Sequence, residues 1–281
     1  MILITSATGT VGSEIVKLLK AAKLPLTAAS RNPAKASAEL GVAAVAWHWD
    51  QPQAFADTLI GVETLFLGTP PGSPDELSGG LAAVAAAKEA GVKKIVKLSA
   101  IGADKMPDSA HRKVELAIEA SGLQWFFARP GFFMQNFNEG MRKDVLSGVI
   151  SRPAGDGRTS FIDARDIAAV LVEAIKGDAL NGQALALTGS EALSYAEFAK
   201  VLGHAIGRPI RYEDVPAADY KAGLLAAGVP QQGADFMTTF YDQAVRKGFA
   251  GAVTDGVKKA TGRDPIKLAQ YAKDYAAAFK D

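Results

Sequence analysis

Short apolar runs alternate with amphipathic helical patterns through the first 130 residues, and this alternation restricts the fold more than any other feature of the chain. Between the runs, apolar residues recur at helical spacing, as Val11, Ile15 and Leu19 do. The predicted strands are residues 1–5, 26–30, 43–49, 64–68, 94–99 and 125–129, and the predicted helices include 12–20, 81–90 and 111–121. Regular alternation of this kind predicts an α/β fold with a doubly wound parallel sheet.

The alternation stops after Pro130, where Pro and Gly mark turns at 130–131 and 153–157. A helix over 163–175 and a strand over 183–187 are predicted to return to the sheet, whereas the chain after Ser194 is predominantly helical. Further helices are predicted over residues 135–146, 217–227, 234–247 and 265–279. We therefore expect a first domain of residues 1–130 with a return segment 156–188. Residues 131–155 and 189–281 form a smaller, mainly helical C-terminal lobe over the carboxyl edge of the sheet.

Composition excludes several classes of function. The net charge of +1 offers no basic surface for nucleic acid or for an anionic membrane. The chain has no cysteine, which removes disulfides and thiolate metal sites, and its three histidines are too scattered to bind a metal. No apolar run approaches the roughly 20 residues of a membrane span, and no leader pattern opens the sequence. We expect a cytoplasmic monomer or homodimer without metal.

The stretch SATGTVG, residues 6–12, follows the first predicted strand and opens the first predicted helix. It matches a dinucleotide-binding turn in which Gly9 allows close approach of a pyrophosphate and Gly12 allows close packing of the helix. Ser6 replaces the first glycine and is compatible with the turn if its φ stays negative. The expected cofactor-binding residues of this turn are Ser6, Thr8, Gly9, Thr10, Val11 and Gly12. The alternative is an ordinary strand–helix turn of small residues.

The end of the second strand indicates which dinucleotide binds. No Asp or Glu lies between Glu14 and Glu39, so no carboxylate is placed to hold a free ribose 2′-hydroxyl. Arg31 can instead bind a 2′-phosphate through two parallel hydrogen bonds, with Lys35 as a helper. These features favour NADP(H) over NAD(H). Asp50 either contacts the adenine or caps the helix that begins at Pro52.

Several longer stretches resemble one family. They are ITSATGTVG (4–12), SRNPAKA (30–36), AGVKKIVKLSAIGA (90–103), ARPGFFMQNF (128–137), GDGRTSFIDARDIA (155–168) and TGRDP (261–265). Together they resemble the NmrA-like branch of the atypical short-chain dehydrogenase/reductases, with a layout similar to type-2 quinone oxidoreductases and triphenylmethane reductases. The resemblance implies a Rossmann-type domain, a small C-terminal lobe and an NADP site between them. The branch contains both enzymes and redox sensors.

The usual catalytic pair of short-chain reductases, a tyrosine with a lysine four residues later, is absent, because none of the six tyrosines has that partner. His111 is the candidate proton donor near neutral pH, with Glu115 one helical turn away to orient it. The alternative places His111 as a cap or a surface residue. Ser99, at the end of the fifth strand, is expected to contact the nicotinamide ribose or the substrate.

Reduction of a conjugated acceptor needs little acid help, because the cofactor carries the hydride chemistry and the product anion is delocalised. We therefore predict an NADPH-dependent reductase acting on an aromatic or quinone-like small molecule. Thr69 and Pro70 are expected beside the cofactor. The expected substrate-contacting residues are Pro71, Phe132, Phe133, Asn136 and Phe236, although packing between the lobes is the favoured explanation for Phe236. The alternatives are an NADP(H)-sensing regulator without turnover and a reductase or isomerase of a specialised biosynthetic pathway.

Overall fold

The computed structural model of the protein describes residues 1–70, 72–73 and 75–280. The strands are β1 (Ile2–Ile4), β2 (Leu26–Ser30), β3 (Ala44–Ala46), β4 (Thr64–Leu67), β5 (Lys94–Leu98), β6 (Gln124–Pro130), β7 (Val149–Arg152), β8 (Arg158–Thr159), β9 (Gln183–Leu187), β10 (Leu193–Ser194) and β11 (Arg211–Asp214). The helices are α1 (Thr10–Ala21), α2 (Pro33–Leu40), α3 (Phe55–Thr58), α4 (Asp75–Glu89), α5 (Ala110–Ser121), α6 (Arg142–Ser147), α7 (Ala164–Lys176), α8 (Tyr195–Ile206), α9 (Ala217–Ala226), α10 (Gln231–Thr239), α11 (Gly256–Thr261) and α12 (Leu268–Asp274).

The chain forms two compact units. Unit 1 consists of Met1–Pro130, Ala164–Leu187 and Gly256–Arg263, and unit 2 consists of Gly131–Asp163, Thr188–Asp255 and Asp264–Asp281. These bounds differ from the expected ones at three places. Residues 156–163 and Thr188 belong to unit 2, and residues 256–263, which include α11, belong to unit 1.

Unit 1 contains a seven-stranded sheet in the order β3-β2-β1-β4-β5-β6-β9. Every neighbouring pair in this sheet is parallel, which confirms the predicted doubly wound arrangement. The strands read as near-continuous apolar runs because helices cover both faces of a parallel sheet. The carboxyl ends of all seven strands therefore lie along one edge, where ligands bind in folds of this class.

Both faces of the unit 1 sheet are packed. On one face, Ile95 and Phe127 pack with Val114 and Ile118 of α5 and with the apolar side of α4. Trp47, just after β3, stacks on Phe55 with ring centroids 3.9 Å apart, and this pair extends the same cluster. On the other face α1 packs against α7. The sheet is consequently a rigid support for the residues at its carboxyl edge.

Local signals placed several helix ends correctly. Gly122 ends α5 and Gly207 ends α8, both in the left-handed conformation that only glycine adopts without strain. Ser194 and Glu197 form the predicted capping box at the start of α8. The helix predicted over 135–146 was wrong: a 3₁₀ turn, Met134–Phe137, is separated from α6 by residues that include Gly140.

Unit 2 has an aromatic core rather than a large sheet. β7 pairs with β11 and β8 pairs with β10, and none of these short strands was predicted. Phe137 stacks on Phe198 at 3.7 Å, and Phe161, Tyr195 and Tyr241 join the same buried cluster. No helix within residues 1–70, 72–73 and 75–280 is long and apolar enough to cross a membrane.

Candidate functional site

The turn after β1 depends on a serine in an unusual backbone conformation. Ser6 has φ of +49°, so the expectation of a negative φ was wrong. Its hydroxyl donates to the carbonyl of Gly68, at the end of β4, at 2.7 Å. Thr5 and Gly68 form a second link, in which the Gly68 N–H donates to the Thr5 hydroxyl at 2.9 Å. A left-handed turn is thus held in place by contacts to the neighbouring strand, and the Ser6 proton is committed to the protein.

The start of α1 fits a bound anion. A Cβ on Gly12 would lie 2.2 Å from the Ser6 carbonyl oxygen, so only glycine allows α1 to begin this close to the turn. The N-cap residue Gly9 makes no side-chain cap, and the first turn of α1 carries no acidic side chain. The positive end of the helix dipole is therefore neither capped nor neutralised, which is the arrangement that binds phosphate groups. Val11 itself is buried, so only its backbone is available to a ligand.

Two substitutions of Ser6 separate the destabilisation by its positive φ from the stabilisation by its hydrogen bond to Gly68. Ser6→Ala retains the left-handed strain and loses the bond to Gly68, so we expect it to lower the unfolding free energy by about 1–2 kcal/mol. Ser6→Gly also loses the bond but removes the strain, so its unfolding free energy should exceed that of Ser6→Ala. Urea denaturation measures both. If the alanine variant is as stable as the glycine variant, the positive φ of residue 6 imposes no strain and the prediction is wrong.

A cavity of about 510 Å³ lies at the carboxyl edge of the sheet within unit 1. The turn contributes Ser6, Thr8 and Gly9, and Arg31 and Asp50 line it from the ends of β2 and β3. The remaining lining includes two indole rings, Trp47 and Trp49, and the half-buried Pro70. A wall with an arginine, open backbone amides and flat apolar surfaces suits an adenosine carrying phosphate groups. The residues therefore fit the dinucleotide that the sequence predicts.

Two polar residues that follow Arg31 have other partners. Asn32 accepts from the Lys35 backbone N–H at 3.1 Å and so caps α2. The Lys35 ammonium lies 3.6 Å from the Glu39 carboxylate on the surface of α2. Asp50 does not cap the following 3₁₀ helix, because its N-cap is Gln51 and that end makes no side-chain cap. Asp50 lines the cavity, and its contact with the adenine stays a prediction.

A buried carboxylate organises the ends of β5 and β6. Glu115 is fully buried and accepts from the Ser99 hydroxyl at 2.7 Å and from the Arg129 guanidinium at 2.9 and 2.8 Å. Arg112 also donates to it at 3.0 Å. Although burial acts to raise the pKa of Glu115, these hydrogen bonds hold it below its usual value. Because Ser99 donates its proton to Glu115, its oxygen is left to accept from a ligand.

The geometry of His111 differs from the expectation. Its Nε2 lies 3.4 Å from the Glu76 carboxylate, whereas Glu115, the expected orienting partner, is engaged by Ser99 and Arg129. Burial, together with the positive charge of Lys97, lowers the pKa of His111 to about 4. The imidazole is therefore neutral at neutral pH, which argues against proton donation by His111, and its catalytic role stays a prediction.

Lys97 is a charged residue of this region that the sequence interpretation missed. Its side chain is fully buried on β5, and its ammonium donates to the Leu98 carbonyl at 3.1 Å. Burial lowers the pKa of Lys97 to about 8, against the attraction of Glu115 and Glu76. The available signal was a lysine inside the apolar run KIVKL, where strand alternation places residue 97 on the same face as Ile95.

The expected substrate-contacting residues are placed as follows. Pro71 lies outside the described residues. Phe132 is half-buried in unit 2, where it stacks on Phe240 with centroids 5.6 Å apart, and Phe133 is bridged to Ile162. Asn136 is half-buried in the same unit, and Phe236 is 67% exposed. Thr69 is half-buried in unit 1 after β4. In the part of the chain that the structure covers, no cluster of His, Cys, Asp or Glu has a metal-binding arrangement.

Comparison with known proteins identifies the family. The model of the NmrA-like family matches residues 1–273. An NAD(P)H azoreductase of Xenophilus azovorans is 41% identical over 288 residues, which cover 99% of both chains. The structure of an NADPH-dependent quinone oxidoreductase from Escherichia coli in complex with NADPH superposes with a TM-score of 0.86, at 28% identity, over 98% of this chain and 99% of that one. For a Citrobacter triphenylmethane reductase complexed with NADP(H) the TM-score is 0.83, at 26% identity, with coverage of 98% and 99%. The chain belongs to the NmrA-like family.

Proposed function

We propose that this NmrA-like protein is an NADPH-dependent reductase that transfers hydride to a conjugated aromatic or quinone-like small molecule. The observation that carries the proposal is the cavity of unit 1, in which a glycine-rich turn, an uncapped helix N-terminus and Arg31 converge. An oxidoreductase that uses NAD(P)H agrees with the names of the azoreductase and quinone oxidoreductase relatives. The structural neighbours crystallised with NADP(H) support the same cofactor here.

Three groups of residues would hold the cofactor. The backbone amides of Val11 and Gly12, in the first turn of α1, would bind the pyrophosphate. Arg31 would bind the 2′-phosphate through its planar fork. Ser99, fixed by Glu115, would accept a hydrogen bond from the nicotinamide half. When bound, NADPH supplies the hydride, and the protein supplies orientation.

The proton chemistry of the chain argues for an acceptor that needs no acid. All six tyrosines belong to unit 2, and none lies near the strand ends of unit 1 along the sequence. Burial raises the pKa of both Tyr195 and Tyr241, so neither hydroxyl is activated. His111 is neutral because its pKa is about 4. A quinone or a dye whose reduced form is a stabilised anion or a neutral molecule can take up its proton from water.

The substrate-contacting residues remain part of the proposal. Phe132, Phe133, Asn136 and Phe236 are proposed to contact the acceptor from unit 2. Flat rings with a single amide would bind a flat apolar ligand and orient it through one polar contact. Half-burial leaves part of Phe132 and Phe133 available, and Phe236 is exposed.

Substitution of His111 tests the acid-free mechanism. We expect His111→Ala to retain turnover of a quinone within about threefold between pH 6 and 8, because a group with a pKa near 4 does not change charge in that range. The pH profile of kcat/KM checks this directly. Leu116→Ala, an exposed position on the same helix, serves as the control for general effects on α5. A loss of kcat/KM above tenfold in His111→Ala, without a matching loss in the control, would support His111 as a proton donor.

The proposed function is tested by NADPH consumption across a panel of quinones, azo dyes, triphenylmethane dyes and enones. We expect oxidation of NADPH with at least one conjugated acceptor and little with simple ketones. Titration of NADPH by calorimetry, run in parallel, separates two failures. Tight binding of NADPH without turnover on the whole panel would favour an NADP(H)-sensing regulator. Absence of NADPH binding would contradict the assignment of the cofactor as well as the reductase activity.

A further inference from the structure

Because β2 and β3 pair in parallel, the residues that follow them, Arg31 and His48, lie at the same edge of the sheet. The two strands pair in parallel with Ser30 opposite Ala46, and the Trp47 N–H donates to the Ser30 carbonyl at 3.0 Å. Arg31 and His48 therefore follow the last paired residues at the same edge of the sheet. Both side chains line the 510 Å³ cavity of unit 1.

The ionisable side chains around this cavity differ in what they can offer a phosphate. Asp50 and Asp75 also line it, and their carboxylates accept hydrogen bonds but do not donate them. Lys35 is outside the lining and lies 3.6 Å from Glu39. Arg31 and His48 are thus the ionisable groups of the lining that can donate to a phosphate.

We propose that His48 donates a hydrogen bond to the 2′-phosphate of NADPH beside Arg31 and so contributes to the preference for NADPH over NADH. This inference rests on the proposed function, because it needs NADPH in the cavity. A phosphate has three terminal oxygens, and a bidentate arginine satisfies two of them. An imidazole carries at least one N–H donor in either charge state, so His48 can satisfy the third.

The position of His48 favours the phosphate over the rest of the cofactor. The pyrophosphate belongs at the turn and the N-terminus of α1, on the far side of β2 from β3 in the order β3-β2-β1. The half-buried indole ring of Trp49 offers flat apolar surface for the adenine. His48, on the strand adjacent to Arg31, is left beside the ribose 2′ position.

Dissociation constants for NADPH, NADH, 2′-AMP and 5′-AMP, measured by calorimetry on the full chain, test the inference. We expect His48→Leu to weaken NADPH and 2′-AMP about 10- to 100-fold, the loss of one hydrogen bond to a charged group, while NADH and 5′-AMP change less than twofold. His48→Asn keeps a donor and should recover part of the loss. Lys17→Met is the matched control, an exposed basic residue of α1 outside the cavity lining that should leave all four constants unchanged.

Equal weakening of NADPH and NADH by His48→Leu would overturn the inference, since it would place His48 on the shared adenosine. No change in either would overturn it as well. A wild-type protein without preference for NADPH would instead contradict the proposed function, so the two failures are distinguishable. If His48→Leu does not fold, the imidazole ¹⁵N chemical shifts of His48 in the wild-type protein provide the test. The inference requires them to change on addition of 2′-AMP and not on addition of 5′-AMP.

Discussion

Replacing Lys97 by methionine should stabilise the protein. Methionine has a similar length and no charge, and the site beside Ile95 is fully buried. Burial shifts the pKa of Lys97 from 10.5 to about 8. Because one unit corresponds to 1.36 kcal/mol, the charged side chain costs up to about 3 kcal/mol at neutral pH. We expect the unfolding free energy of Lys97→Met to rise by roughly 1–3 kcal/mol at pH 7, as measured by urea denaturation.

Lys94 provides a matched control on the same strand. It is also buried, but its ammonium donates to the Gly177 carbonyl at 2.8 Å and pairs with Asp178 at 2.8 Å. It also donates to the Ala174 carbonyl at 3.3 Å, so it completes the C-terminal end of α7. Lys94→Met should therefore lower the unfolding free energy, by about 1–3 kcal/mol. Two identical substitutions three residues apart thus have expected effects of opposite sign.

The advantage of Lys97→Met should depend on pH. The folded-state pKa of Lys97, about 8, is below the unfolded value of 10.5, so the unfolded chain binds more protons between these values. The penalty is fully present below pH 8 and disappears as the pH rises to about 10.5. The difference between wild type and Lys97→Met should shrink over that range. A destabilised Lys97→Met at pH 7 would show that the ammonium has stabilising partners and would contradict the prediction.

Arg31→Ala should weaken NADPH binding by at least about 100-fold and leave NADH binding within about threefold. The expected loss comes from two hydrogen bonds to a charged phosphate, each contributing about 1.5–3 kcal/mol, and each 1.4 kcal/mol is a tenfold change in the dissociation constant. NADH lacks the 2′-phosphate and so lacks the contact. Titration of both cofactors by calorimetry measures the two constants directly.

Arg31→Lys tests whether the planar fork matters beyond its charge. A lysine keeps the positive charge but donates to a single point, so we expect it to recover only part of the affinity for NADPH. Saturating NADPH should restore most of the turnover of Arg31→Ala, because the residue is proposed to act on binding alone. Equal losses for NADPH and NADH would contradict the assignment of Arg31 to the 2′-phosphate.

Much of the fold follows from signals within a few residues of each other. The alternation of apolar runs and helical patterns predicted the parallel sheet, and Gly122, Gly207 and the Ser194–Glu197 pair marked helix ends correctly. The short strands β7, β8, β10 and β11 carry no such signal, since two to four residues do not establish a period. α11 was missed for a similar reason, because six residues make too few turns to show a helical face.

The sequence by itself determined the doubly wound sheet, the glycine-rich turn and the arginine at the end of β2. All three are properties of local chemistry and spacing. The NmrA-like family model matches residues 1–273, a range that contains all three. Only the tertiary structure decided what state the functional groups are in. Ser6 is held at positive φ by Gly68, and Glu115 is taken by Ser99 and Arg129. Burial of His111 and Lys97 then sets their pKa values. The physical reason is that desolvation and partner choice depend on residues far apart in the chain, which periodicity and spacing do not reveal.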